Sequence, residues 1–250
     1  MQAVEQAEVI AHALRRSLVY RFLSTAMRPP DESLLAIDPA QWQTVAQAAR
    51  SASQDAAAAL EALGRACAET GGDALRAEYY RVFGHRVGGD CPLYEAQYVP
   101  GGIFPQAQCL ADVAGFYRAF GLQVGDAVRE RPDHISLELE FMHVLAYREA
   151  YARQHHGPDH VALLADAQRA FLRDHLGRWV PALSRLVGNT AGDPYRALAA
   201  ALAAWVAADA AAVGASPLGD PDLLPSPDAE LPDAAHPVCG ADGCPIAPPP

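Results

Sequence analysis

Between residues 4 and 213 apolar residues recur at helical spacing, and nowhere do apolar and polar residues alternate for more than a few positions. A half-buried strand needs that alternation, whereas a surface helix needs apolar residues every three or four positions. The chain is therefore expected to be all-α, a compact single domain of many helices. Helical patterns cover residues 4–27, 39–50, 55–69, 73–83, 106–120, 132–155, 160–186 and 194–213, with Pro or Gly at most of the breaks. In the first of them Ile10, Leu14, Leu18 and Phe22 repeat at i+4 and are expected to form the buried stripe, leaving Arg16 on a solvated face. No internal repeat is visible.

Proline and charge both divide the chain. Ten of the 20 prolines lie at or beyond Pro217, and residues 215–250 carry six acids and no Arg or Lys. Too few large apolar side chains remain there to offset the entropy of ordering, so a domain is expected over residues 1–214 and a disordered or loosely docked tail over 215–250. Without the tail the body still holds 24 acids against 19 arginines, which excludes a general nucleic-acid binder. No 18-residue stretch is free of polar breaks, so no membrane span is expected. Five cysteines, an odd number, do not suggest a secreted disulfide framework, and a cytoplasmic protein is the default expectation. Arg15 and Arg16 resemble a twin-arginine export signal only superficially, because Arg21 and Arg28 interrupt the apolar run that should follow.

Motifs for catalysis are sparse. No nucleophile elbow, Walker loop or dinucleotide-binding glycine pattern occurs. Glu140 and His143 have the Glu-x-x-His spacing of di-iron helices, but the second copy is missing, so an internally paired or solvated Glu and His is expected. Cys239 and Cys244, with Cys91, Cys109 or His236 as further ligands, offer only one close cysteine pair where zinc ribbons show two. His155, His156 and His160 read as a solvated corner. Asp90 beside Cys91 should raise that thiol's pKa and blunt its reactivity. No metal, cofactor or catalytic residue is assigned on these grounds.

The long irregular stretch 84–105 is the first place to look for function, since loops of that length inside a compact domain are uncommon. Around it gather Tyr79 and Phe83, i+4 neighbours at a helix end, then Pro92, Tyr94, Glu95 and Tyr98 after a Gly-rich bend. A later helix begins at Pro132 with Asp133 and His134 beside it. Core packing accounts equally well for Tyr79 and Phe83, a helix cap for Asp133, and an i,i+4 pair with Glu138 for His134.

The ordered combination of P-x-Y-E-x-x-Y (residues 92–98), D-V-x-x-F-Y-R-A-F-G-L (112–122) and P-D-H-I (132–135) resembles the TorD/DmsD/NarJ family of redox-enzyme maturation chaperones. Within it the likeness is to the branch serving type II molybdoenzymes of the dimethylsulfoxide reductase family, over roughly residues 5–210. The resemblance implies an all-α chaperone that catalyses nothing and carries no cofactor. Its partner would be the precursor of a molybdoenzyme catalytic subunit, held by its twin-arginine signal peptide until the molybdenum cofactor is inserted, with cofactor delivery proteins as further partners. By position, the peptide-binding surface would fall on Tyr79, Val82, Phe83, Pro92, Tyr94, Glu95, Asp133 and His134. Position 82 carries Val where the family commonly has Leu.

Two guanidinium groups followed by an apolar segment call for carboxylates beside an aromatic-lined groove, and Asp133, Glu95, Tyr79, Phe83 and Tyr94 could supply both. Two rivals remain open from sequence: a metal-binding helical enzyme using Glu140, His143 and the cysteines, and a generic helical adaptor without peptide specificity.

Overall fold

The computed structural model describes residues 2–31, 34, 37–84, 90–125, 128–220 and 222–226, with no side-chain detail for residues 2 and 3. The described residues form nine α-helices in one all-helical body: α1 (Gln2–Ala26), α2 (Pro39–Arg50), α3 (Gln54–Glu69), α4 (Gly72–Phe83), α5 (Ile103–Ala119), α6 (Ile135–His155), α7 (Pro158–Phe171), α8 (Gly177–Thr190) and α9 (Tyr195–Ala212). A 3₁₀ turn, Glu95–Tyr98, precedes α5, and a π-helical segment, Leu172–Leu176, joins α7 to α8 without a break. No described helix is long and apolar enough to cross a membrane.

The local sequence explains most of the boundaries. Asp38 caps α2 by accepting from the Gln41 amide at 2.8 Å while Gln41 reaches back to the Asp38 amide, and Pro39 fills the first turn. Ser53 caps α3 by accepting from the Ala56 amide, and Pro158 opens α7. Gly64 lets α2 and α3 approach closely, since a Cβ there would lie 2.9 Å from Trp42. Two starts differ from the sequence reading by three residues. Helix α5 begins at Ile103, three residues early, and α6 begins at Ile135 because His134, not Pro132, turns the chain into the helix.

Helix α1 lies along α6, α9 packs on α3 and α8, and α2 bridges α1 and α3. The face that α1 buries is a correction to the expected one. Ala13, Arg16, Val19, Tyr20 and Leu23 are buried, while Leu14 and Leu18 stay 43% and 36% exposed. A strict i+4 repeat precesses about 40° per step on a helix of 3.6 residues per turn, so the Ile10 to Phe22 stripe winds off any single face. Arg16, expected in solvent, is only 3% exposed and lies against Asp209 and Glu149.

The π segment carries the second constraint that only glycine meets. The Gly177 amide bonds the Leu172 carbonyl, and a Cβ at Gly177 would sit 2.4 Å from that oxygen and 2.6 Å from Pro217. The chain accordingly does not leave the body at Gly214, where the sequence suggested a boundary. Ala215 is buried, the Leu223 carbonyl accepts from Arg185 at 3.4 Å, and the Ser226 amide donates to the Gln97 carbonyl at 2.7 Å. Residues 215–220 and 222–226 run back over the start of α8 toward the 3₁₀ turn. Cys239, Cys244 and His236 lie outside the described residues.

Candidate functional site

The two motif segments singled out in the sequence meet. Backbone bonds from Glu95 N–H to Asp133 O and from Ile135 N–H to Leu93 O, each 2.9 Å, zip residues 93–95 to residues 133–135, with Tyr94 and His134 paired as an isolated antiparallel bridge. The Asp133 carboxylate clamps the junction. It accepts from the Ala96 amide at 3.1 Å and, bidentately, from the Arg131 guanidinium at 3.0 and 2.9 Å. Arg131 in turn lies 4.5 Å over the Tyr94 ring. The hydroxyls of Tyr98 and Tyr117 fasten the flanks by donating to the carbonyls of Pro92 and Pro132.

This geometry takes the helix start away from the surface on which the family likeness would place it. Asp133 and His134 are both buried. His134 is the N-cap of α6, its Nδ1 accepting from the Ser136 amide at 3.2 Å, and burial holds its pKa down to about 4, so the imidazole is neutral. It does not pair with Glu138, whose carboxyl accepts from Trp179 Nε1 instead. Pro92 and Glu95 are buried and Tyr94 is half-buried, its hydroxyl donating to Glu130. Tyr79, Val82 and Phe83 are core residues of α4, with the Tyr79 ring 4.9 Å from Phe83 and 5.8 Å from Tyr195.

On the far side of the zipper the Glu95 carboxylate reaches a cleft of about 460 Å³. Its walls are the 3₁₀ turn, α5, the junction of the π segment with α8, and Leu218, Asp220 and Leu223, and they include the side chains of Asp112, Asp174, His175 and Trp179. His175 Nδ1 stands 2.9 Å from Glu95 Oε2. Four acids, Glu95, Asp112, Asp174 and Asp220, line the cleft against the cation of Arg178 and, at the rim, Arg173 bonded to Asp174. Ile103, Phe104 and Leu218 are exposed nearby in the chain, Phe104 at 90%. Behind the cleft Glu138 is fully buried, and burial followed by the charge of Glu95 pushes its carboxyl well above the ordinary range. Burial likewise pushes the Cys109 thiol up, reinforced by Glu95, Glu138 and Asp133.

A larger cleft, about 690 Å³, lies between α1, α2 and α6 and has the opposite character, with Arg21 and Arg28 in its lining. Glu140 is bonded to Arg28 there, and His143 Nδ1 lies 2.8 Å from the Ser17 hydroxyl, so each has a partner within the chain. Burial raises the Cys91 thiol, and Asp90 adds to the effect.

The sequence reading missed His175, Asp112, Trp179 and Arg131. One signal was present: Asp174–His175 is a second Asp-His pair, in a helical run where only a bulge would turn both toward a common site.

The profile of a family described as the nitrate reductase delta subunit matches residues 49–185. The selenate reductase assembly chaperone protein of Thauera selenatis is 34% identical over 121 residues, 47% of this chain and 60% of that protein. The perchlorate reductase assembly chaperone protein of Dechloromonas aromatica is 36% identical over 89 residues, 36% of this chain and 38% of that one. The chlorate reductase assembly chaperone protein of Ideonella dechloratans is 35% identical over 118 residues, 44% and 56% respectively. The chain thus spans 38–60% of the length of these curated relatives, all of them assembly chaperones by name and none a catalyst.

Proposed function

The chain belongs to the nitrate reductase delta subunit family, and from that premise we propose that it is a cytoplasmic maturation chaperone for a molybdoenzyme catalytic subunit, binding the twin-arginine signal peptide of the precursor in the acidic cleft. Holding the precursor there keeps it from export while the molybdenum cofactor is inserted and the subunit folds, and brings cofactor delivery proteins into reach. The chaperone itself catalyses no step.

One observation carries this reading: a cleft lined by four carboxylates, with exposed apolar side chains beside it, complements a peptide that presents two guanidinium groups and then an apolar run. The larger cleft is passed over because the one carboxylate among its described residues, Glu140, is already paired with Arg28, and Arg21 beside it would repel such a peptide. In this arrangement Glu95 faces the peptide directly. Asp133 and His134 act from behind, locking the segment that carries Glu95, while Tyr94 forms its outer edge. Tyr79, Val82, Phe83 and Pro92 buttress that segment from the core.

The test is fluorescence anisotropy with a labelled twin-arginine peptide and its Lys-Lys counterpart. Lysine keeps the charge and loses the two-pronged fork, so the Lys-Lys peptide is expected to bind about tenfold or more weakly. Equal affinities would favour a generic helical adaptor. Co-purification of a molybdoenzyme subunit with the full chain supplies the client.

A further inference from the structure

Glu95, Cys109 and His175 come from three different elements, the 3₁₀ turn, α5 and the π segment, yet each offers one ligand atom within 4.8 Å of the other two. His175 is 2% exposed, and its Nε2 has no hydrogen-bond partner. That nitrogen faces Asp112, whose Oδ2 stands 3.6 Å away, too far for a hydrogen bond and on the side where both residues line the cleft. A buried imidazole nitrogen without a partner is uncommon enough to need a cause.

The donor set narrows the occupant. Magnesium and calcium take oxygen ligands almost throughout, whereas a thiolate, an imidazole and a carboxylate together suit a borderline-soft dication of the zinc type. The surroundings favour positive charge as well. Asp133 is paired with Arg131, whereas among the described residues Glu95 is paired with His175 and with no arginine, and the Asp112 carboxylate stands on the other side of the same imidazole.

We propose that Glu95, Cys109 and His175 form a binding site for one zinc-type divalent cation, with Asp112 beside the position left open toward the cleft. On binding, the metal takes the place of the Cys109 thiol proton, which is released to solvent; His175 gives one ring nitrogen, Glu95 one carboxylate oxygen, and Asp112 or a water completes the shell. This site is separate from the Glu140 and His143 pair, which lies in the other cleft beside Arg28 and Ser17. It shares Glu95 and Asp112 with the peptide cleft, but its readouts are metal uptake and spectrum and involve no client, so either reading can fail without the other.

The experiment uses the full chain, purified without an affinity tag, stripped with EDTA and titrated with Co²⁺ and then Zn²⁺. One Co²⁺ per chain should bind with a thiolate-to-cobalt charge-transfer absorption, and Zn²⁺ should displace it. The Cys239→Ser, Cys244→Ser double variant should behave like the parent. Cys109 is only half-buried and Ser is smaller by little, so Cys109→Ser should keep its helical circular dichroism, lose the charge-transfer band and bind Zn²⁺ about tenfold or more weakly. His175→Gln should show the same weakening, and if it fails to fold, Cys109→Ser decides alone. Absence of stoichiometric uptake, an unaltered band in Cys109→Ser, or loss of uptake in the tail double variant would each overturn the assignment.

Discussion

The Arg16 guanidinium on α1 grips the Asp209 carboxylate on α9 in a buried two-pronged ion pair, Nε to Oδ1 at 2.5 Å and Nη2 to Oδ2 at 2.9 Å. Tyr20 donates its hydroxyl to the same Oδ2 at 2.6 Å, and Arg16 Nη1 reaches Glu149 on α6, which Gln168 of α7 bonds in turn. Four helices are thereby joined through one cation whose partner lies 193 positions away in sequence.

Removing either partner leaves the other charge buried without compensation, which costs about 3–5 kcal/mol. Arg16→Met and Asp209→Asn are each expected to lower stability on that scale in urea unfolding. Arg16→Lys should recover only part of it, because an ammonium cannot reproduce the fork. A loss below about 1 kcal/mol for Arg16→Met, the level of a surface ion pair, would show that the network is not what fixes α1.

His134 gives the fold a pH dependence. Its pKa is about 4 in the folded chain against 6.5 for a free imidazole, so between these values the unfolded chain binds the extra proton and stability rises with pH. The contribution is fully present above pH 6.5 and is lost as pH falls toward 4, by about 3 kcal/mol at most. Other groups titrate over the same range, so the comparison is with His134→Gln. The slope of stability against pH between 6.5 and 4 should be shallower in that variant, and an identical slope would mean that His134 titrates normally.

If the acidic cleft takes a twin-arginine peptide, its exposed carboxylates should matter in a screened way. Asp112 is 60% exposed on its side chain, so Asp112→Asn should leave the fold intact and weaken peptide binding several-fold in low salt. The difference should shrink as ionic strength rises and the screening length falls to about 8 Å at physiological salt. Binding that ignores both the substitution and the salt would place recognition in the apolar part of the peptide alone.

The helices were legible because Pro39, Gly71, Gly72 and Pro158 punctuate the chain at their ends, and local chemistry decides local structure. The pairing of the Tyr94 and Asp133 segments followed from the family likeness, and the structure supplies its physical form. What the sequence hid depends on distant partners. Arg16 looked solvated because its neighbours on the helix gave no hint of Asp209, and a period of four drifts around a helix in any case. Asp133 looked like a cap until the chain reversal brought Arg131 back onto it. Half of the cleft was invisible for a similar reason. Asp174, His175 and Trp179 are gathered at one wall across a π segment that no 3.6-residue pattern reveals, and Leu218 and Asp220 belong to a stretch whose composition reads as tail.

That stretch yields the last prediction. A chain ending at Gly214 loses the burial of Ala215, the contact of Pro217 with Gly177, the packing of Leu223 against the core and the Ser226 bond to Gln97. The buried apolar surface, the Ser226 bond and the Arg185 bond to the Leu223 carbonyl together are worth about 2–4 kcal/mol. A chain ending at Ser226 keeps all of these contacts. The shorter truncation should therefore melt measurably below the full chain, by roughly 2–4 °C per kcal/mol for a domain of this size, and the longer one should melt with it. Peptide affinity should follow the same order, because Leu218 and Asp220 form one wall of the cleft and are missing only from the shorter chain. If both truncations melt with the full chain, residues 215–226 add nothing to the body and the domain ends at 214; if both lose the peptide equally, recognition extends beyond residue 226.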